Sequence, residues 1–441
     1  MKRVLIVSPH FPPVNAPDCQ RVRMSLPYYR RYGWEPEVLA VRPEHRADWR
    51  DDSLLAGLPA DIPLHYCQAL PASLTRFVGV HNMGLRSVPF INARGLSLLR
   101  EARFDLIFFS TTQYLVTPLG RLWLRRTGIP YVVDLQDPWR SDYYERAGAP
   151  PPPGGWKYQF ARLTAWLFEE QTFRDAAGFI SVSHHYLREL SQRYRWFSQT
   201  PQVVIPFGGP QADFDYLAAH PAPCSLTLAP DDCIHFVAAG SLGPPFSHAL
   251  RVLFAALRQL RDESPALAER LRFHFIGTSY APPRQTRPVA QPIAAAYGVG
   301  DLVREQTSRI GYLDSLRLMQ QSDIILLLGT DDLTYSPSKI YPSTLTGRPM
   351  LALAHHGSLL HGLVRGLRCA KLFTLLEPGR ETAPTGLLVR YLTEVASRRD
   401  ADFDQPAQRL APIGPAGISA ENGARRQCEF FDAALARTRR P

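Results

Sequence analysis

Short apolar runs and amphipathic stretches take turns along the whole chain. In the first half the apolar runs fall at 3–9 (RVLIVSP), 36–41 (PEVLAV), 63–68 (PLHYCQ), 104–111 (FDLIFFST), 129–137 (IPYVVDLQD), 178–183 (GFISVS) and 202–208 (QVVIPFG). Runs of this length, rich in Val, Ile, Leu and Phe and bounded by turn residues, predict β-strands. Between them, apolar positions recur every three to four residues, notably at 118–128 and 158–176, and predict helices. Several strands are continuously apolar rather than alternating, the pattern of a parallel sheet covered on both faces. The second half repeats the plan, with strands predicted at 234–241, 271–278, 308–313, 322–330, 348–354 and 370–376 and a helix at 248–263.

The segment 210–232 (PQADFDYLAAHPAPCSLTLAPDD) has the composition of a linker, and the domain boundary is placed there. The expected fold class is α/β, with two doubly wound Rossmann-like domains, at 1–209 and 210–418. Residues 419–441 form a C-terminal helical segment, with Ser419 at its N-cap. The Pro-rich tract 148–155 (GAPPPPGG) reads as a stiff loop. Ligands bind outside the carboxyl ends of the strands in such sheets, so the active site is expected in a cleft where the two domains face each other. A single cofactor-binding domain is not indicated. No G-x-G-x-x-G follows the first strand and no G-x-x-x-x-G-K-[ST] occurs.

Composition narrows the class. A chain of 441 residues exceeds one ordinary core. Its 45% hydrophobic and 20% charged residues fit a globular enzyme rather than a disordered or membrane-spanning chain. No run approaches the roughly eighteen apolar residues of a membrane span. The N-terminal apolar run is too short for a secretory core. Cys19, Cys67, Cys224, Cys233, Cys369 and Cys428 form no C-x-x-C pair, which indicates neither a zinc site nor a disulfide framework and fits a reducing cytoplasm. The histidines lack metal-ligand spacing; His184–His185 and His355–His356 are adjacent and point to different faces. The net charge of +10 is dispersed, without a nucleic-acid motif. It points to an anionic substrate or a peripheral contact with the inner face of the plasma membrane. Within 72–103, basic residues alternate with apolar ones and acids are nearly missing. That stretch is either an acceptor- or membrane-facing region or a set of helices packed on the sheet with exposed arginines.

Several landmarks fall in a familiar order: SPHFPPVNAPDCQRVR after the first strand, GIPYVVDLQDPWRSDYY, GFISVSHHYLREL, VVIPFGGPQADF, HFVAAGSLG, and SDIILLL followed by SPSKIYPSTLTGRPMLAL. Together they resemble the blocks of family 4 glycosyltransferases of GT-B fold, in a bacterial branch with an "RDPW" segment. The resemblance implies an N-terminal domain for the acceptor, a C-terminal domain for a nucleotide-sugar, and a last helix that crosses back to the first domain. It further implies transfer to an acceptor hydroxyl with retention, with no metal or cofactor besides the nucleotide-sugar co-substrate. The acceptor implied is a carbohydrate, lipid-linked or other small molecule in glycolipid or polysaccharide assembly. Two other readings stay open: a nucleotide-sugar epimerase of the same fold, and a degenerate homologue that binds a glycan or a partner protein.

Glycosyl transfer leaves negative charge on a diphosphate, and a metal-free enzyme must meet it with fixed donors and cations. The candidates are Ser338 and Lys339, with Tyr341 beside them, and Gly240 and Ser241 after the strand 234–241. Ser338 and Lys339 read equally as a cap with a solvated lysine, and Gly240 as a tight turn. In the first domain Asp137 and His10 are the catalytic candidates: Asp137 would take the acceptor proton or orient the sugar. Asp134 reads as structural. Asn15, Arg21, Trp139 and, less directly, Arg23 are acceptor-side candidates, against the alternatives of packing (Trp139) and a solvated face (Arg21). Asp331 and Asp332 form an adjacent acidic pair that reads as solvated rather than metal-binding. The chain departs from the family at three places. GSLGPPFSH carries no basic residue before Arg251, VNAPDC replaces the usual Gly-Gly, and Pro342 stands where the family pattern has a ribose-binding glutamate. That proline is tolerable only in a helix's first turn.

Overall fold

The computed structural model describes residues 1–76, 82–140, 155–281, 285–333, 335–376, 382–398 and 419–438. The stretch 77–81, within the basic region, and most of the Pro-rich tract lie outside the described residues. The chain divides into two compact units, Met1–Gly208 with the C-terminal segment, and Gly209–Gly417.

The first unit holds a seven-stranded parallel sheet: β1 Lys2–Val7, β2 Trp34–Val41, β3 Leu64–Cys67, β4 Leu106–Ser110, β5 Tyr131–Leu135, β6 Gly178–Ser181 and β7 Gln202–Val204. The strand order is β3-β2-β1-β4-β5-β6-β7. The period of two splits each apolar run between two cores. Val4 and Ile6 pack with Trp34, Val38 and Phe108, while Leu5 and Val7 pack with Leu39, Ile107 and Phe109 on the other face. This is why the strands read as continuous apolar runs.

The C-terminal helix Ala420–Thr438 covers one face of this sheet. The Ser419 hydroxyl accepts the N–H of Asn422 at 3.1 Å and starts it. Phe431 meets Trp34 edge-on at 5.3 Å. Buried Gln427 accepts from the Tyr29 hydroxyl at 2.6 Å and donates to the Ser25 hydroxyl at 2.9 Å. In the basic region the helix Met83–Glu101 packs Ile91, Leu96, Leu98 and Leu99 into the core, and buried Arg86 donates to the Leu70 carbonyl at 2.7 Å.

The second unit holds a six-stranded parallel sheet: β8 Ile234–Ala239, β9 Leu271–Ile276, β10 Val303–Gln306, β11 Ile324–Leu328, β12 Met350–His355 and β13 Ala370–Leu375, in the order β10-β9-β8-β11-β12-β13. Two expectations are corrected. The strand expected at 308–313 is instead β10, five residues earlier; at a sheet edge its VREQ sequence needs no apolar run, so the pattern missed it. The 210–232 linker contains the helix Gln211–Ala219, anchored by buried Phe214 and Leu217 and by a 2.8 Å hydrogen bond from Tyr312 to Asp213.

In each sheet the strand order reverses once, between β1 and β4 and between β8 and β11. Connections leave such a reversal point in opposite directions, so a crevice opens at the carboxyl ends of those strands. This geometry, rather than any local motif, selects which loops meet.

Candidate functional site

At the first reversal point the loop after β1 and the loop after β4 meet on Asp18. His10 Nδ1 lies 3.0 Å from Asp18 Oδ1, and the Thr111 hydroxyl donates to Oδ2 at 2.9 Å. The Thr112 N–H approaches the same oxygen at 3.3 Å, and Gln136 Nε2 donates to the Asp18 carbonyl at 3.1 Å. Burial pushes the Asp18 carboxyl up, but His10 and these hydrogen bonds outweigh it and hold the group below its ordinary value. An ionised Asp18 accepts a hydrogen bond from a proton-bearing His10 Nδ1 and so fixes the orientation of the imidazole ring. His10 is only 5% exposed, so this dyad is set into the floor of the edge rather than standing at its surface.

Asp137 follows β5 on the same edge. Solvent reaches its side chain, yet surrounding protein and then the charge of Asp18 raise its carboxyl to about 7. The Tyr114 hydroxyl donates to the Asp137 carbonyl, and Trp139 stacks on the Tyr114 ring at 5.3 Å with 12° between planes. Asp137, Trp139, Arg140, Glu169, Tyr186 and Arg193 help line an opening of about 250 Å³, solvent included.

Three acceptor-side candidates are occupied by packing. Arg21 is buried; its Nε pairs with Asp134 Oδ2 at 2.8 Å and its Nη2 donates to the Ile205 carbonyl at 2.8 Å, so the acceptor-side or solvated arginine expected from sequence is held inside as a structural cation. Asp134, as its structural reading holds, also accepts from the Ser110 hydroxyl at 2.8 Å. Trp139 packs against Tyr114 and, edge-on, Phe173 at 5.7 Å. Asn15, in the segment after β1, donates to Asp51, in the segment after β2, at 3.1 Å. Buried Arg23 donates to the Gln20 side chain at 2.8 Å.

At the second reversal point Gly240, after β8, meets Lys339, after β11. Gly240 has φ of 135°, a region that L side chains rarely adopt. A Cβ there would stand 2.9 Å from Lys339 Cε, so the lysine stem lies on bare glycine backbone. Solvent reaches Lys339, but the protein around its ammonium and then the Arg309 guanidinium lower it to about 8. Ser241 is half-buried on the Gly240 loop, and the Ser338 N–H donates to the Ser336 carbonyl at 3.0 Å. The helix after Lys339 is only Ile340–Leu345, so its dipole adds little toward a diphosphate. Pro342 falls in its first turn, where the missing N–H costs little. Tyr341 is 1% exposed and belongs to the core, which removes it from the ligand-facing residues. The Asp331 N–H donates to the Pro245 carbonyl at 3.1 Å, and the Asp332 carbonyl accepts from the Thr330 hydroxyl at 2.9 Å. No cluster of three metal-ligating side chains occurs among the described residues.

Asp18 and Arg309 are the residues that sequence reasoning missed. Asp18 carried one signal, an acid eight residues after His10 in the segment that follows the first strand. Arg309 carried none, because its segment was read as a strand.

Residues 20–208 match the family model described as Glycosyl transferase 4-like domain. No curated protein sequence matches the chain. Among solved structures, the chain is similar to the catalytic domain of starch synthase IV from Arabidopsis thaliana bound to ADP and acarbose. That likeness has a TM-score of 0.61 at 12% identity, over 99% of this chain and 99% of that one. A sucrose-phosphate synthase from Thermosynechococcus elongatus matches with a TM-score of 0.57 at 15% identity, over 99% and 97%. A glycosyltransferase from Rickettsia africae matches with 0.56 at 12% identity, over 98% of each chain. At such identities the likeness carries the fold: two Rossmann-like units of GT-B type. The matched domain supports a glycosyltransferase enzyme.

Proposed function

We propose that the chain moves a sugar from a nucleotide-sugar donor to an acceptor hydroxyl, with retention and without a resident metal. The observation that carries the reading is the meeting of Gly240 and Lys339 at the reversal point of the second sheet. A bare backbone lets a phosphate approach closely, and the ammonium opposes the charge that grows on the departing diphosphate. In the step proposed, the bond from the anomeric carbon to the diphosphate oxygen breaks and its electron pair stays on the diphosphate. The acceptor oxygen bonds to that carbon and its proton passes to Asp137. A carboxyl raised to about 7 suits that task, because a base works best with a pKa near the working pH. The first unit thus serves the acceptor and the second the donor. His10 acts through Asp18, whose charge adds to the effect of the surrounding protein in raising the affinity of Asp137 for its proton.

The acceptor is proposed to be a carbohydrate or lipid-linked molecule, reached in the cytoplasm or at the membrane face. Among the described residues no helix is long and apolar enough to cross a membrane. The test is incubation with UDP-, GDP-, ADP- and dTDP-sugars, with and without glycan acceptors, followed by NMR and mass spectrometry. A glycosylated acceptor with the donor's anomeric configuration is the expected product. Epimer formation without an acceptor would replace the transferase reading with an epimerase. No binding of any of the four nucleotides at millimolar concentration would leave a non-catalytic homologue.

A further inference from the structure

A diphosphate that departs without a metal leaves negative charge for fixed donors and cations to meet, yet the GSLGPPFSH loop after β8 carries no lysine or arginine. We propose that Arg309 supplies the second cation. With Lys339 it forms a two-cation clamp for a nucleoside diphosphate, over a floor made by Gly240 and Gly277. The proposal rests on the nucleotide-sugar reading above and names the residue that reading lacks.

The sheet order brings the parts together. The ends of β10, β9, β8 and β11 are consecutive neighbours and lead to Arg309, Gly277, Gly240 and, further along its loop, Lys339. Strands about 4.8 Å apart put the outer two roughly 14 Å from each other, a span within the combined reach of two long basic side chains. The two inner strand ends are both glycines with positive φ, 135° at Gly240 and 72° at Gly277. Lys339 Cε lies over the first, and the Arg309 Cα lies 3.7 Å from where a Cβ of the second would stand. The two glycine N–H groups are already given to Ile276 and Gln306, so the floor offers close approach and the cations must supply the attraction. The Arg309 guanidinium stands 5.1 Å from the centre of the Tyr280 ring, a contact that holds it in place. The surrounding protein and then the Arg309 charge lower the Lys339 ammonium, as expected of two like charges in one region. A multiply charged anion between them relieves their repulsion, and a diphosphate carries its charges on two adjacent groups that match two separated cations.

The test is calorimetric titration of the full chain with UDP, GDP, ADP, dTDP and the matching monophosphates and nucleosides. For the nucleotide that wild type binds, Arg309→Gln should weaken the diphosphate by about tenfold to a hundredfold. Nucleoside binding should hardly change, and Arg309→Lys should recover most of the loss. Arg309→Met, which keeps apolar packing on Tyr280, serves if the glutamine variant does not fold. Diphosphate binding unchanged in the Gln or Met variant, with wild type binding normally, overturns the role of Arg309 alone. Equal losses for diphosphate and nucleoside overturn it too, by pointing to a contact with the base. No diphosphate binding by wild type overturns the nucleotide-sugar reading and this inference together.

Discussion

Replacing Arg21 by methionine tests the assignment of that residue as a structural cation. Its guanidinium pairs with Asp134 at 2.8 Å and donates to the Ile205 carbonyl at 2.8 Å, tying the helix Gln20–Ser25 to β5 and to the exit of β7. Asp134 is fully buried, and its Oδ1 already lacks a hydrogen bond. Breaking a buried pair by removing one partner costs about 3–5 kcal/mol, because the other charge is left uncompensated. That is a large share of the roughly 5–15 kcal/mol that holds a domain together. The readout is specific, since all seven tryptophans lie between residues 34 and 196, in the first unit. Urea unfolding followed by tryptophan fluorescence should show the midpoint falling by more than about 1 M. The loss should also depend on pH. Burial raises the Asp134 carboxyl while Arg21 lowers it, so removing Arg21 raises it further. A folded state that holds its proton more tightly than the unfolded chain loses stability as pH rises from the unfolded value through the folded one. The Arg21→Met deficit should therefore shrink as pH falls from 8 toward 5. Adding Asp134→Leu should recover most of it, because charge and partner then leave together. A deficit under about 1 kcal/mol, the same at every pH, would refute the reasoning and return Arg21 to the acceptor-side candidates.

Turnover should rise with pH through about 7 as the Asp137 carboxylate forms; Asp18→Asn should move that limb lower by removing the neighbouring charge, and a limb that stays in place excludes the coupling. Nucleoside diphosphate affinity should fall as pH rises through about 8, where Lys339 loses its proton, and affinity constant up to pH 10 would take Lys339 out of the site. Gly240→Ala forces a side chain into φ of 135° and against Lys339 Cε, so thermal unfolding should show a loss of about 1–3 kcal/mol with weakened nucleotide binding. A neutral Gly240→Ala would mean that the loop relaxes and the bare backbone is not needed.

The sequence by itself determined the fold class, most of the strands and the C-terminal helix. Those follow from periodicity and capping, which are local: Val4 to Val7 read as a buried strand wherever they lie, and Ser419 caps a helix from its own side chain. Where local signals are weak the reading failed, as at the polar edge strand β10 and at the helix Gln211–Ala219, hidden in linker-like composition. Asp137 and Gly240 were singled out because each closely follows a strand, and Lys339 because it lies further along the segment after one, although nothing local paired the last two or marked Tyr341 for the core. Tertiary structure decided the rest. Asp18 turns His10 into half of a buried dyad, Asp134 consumes Arg21, and Arg309 comes within the field of Lys339. Each depends on which strand ends lie side by side, and strand order is set by the packing of whole elements rather than by the residues that meet.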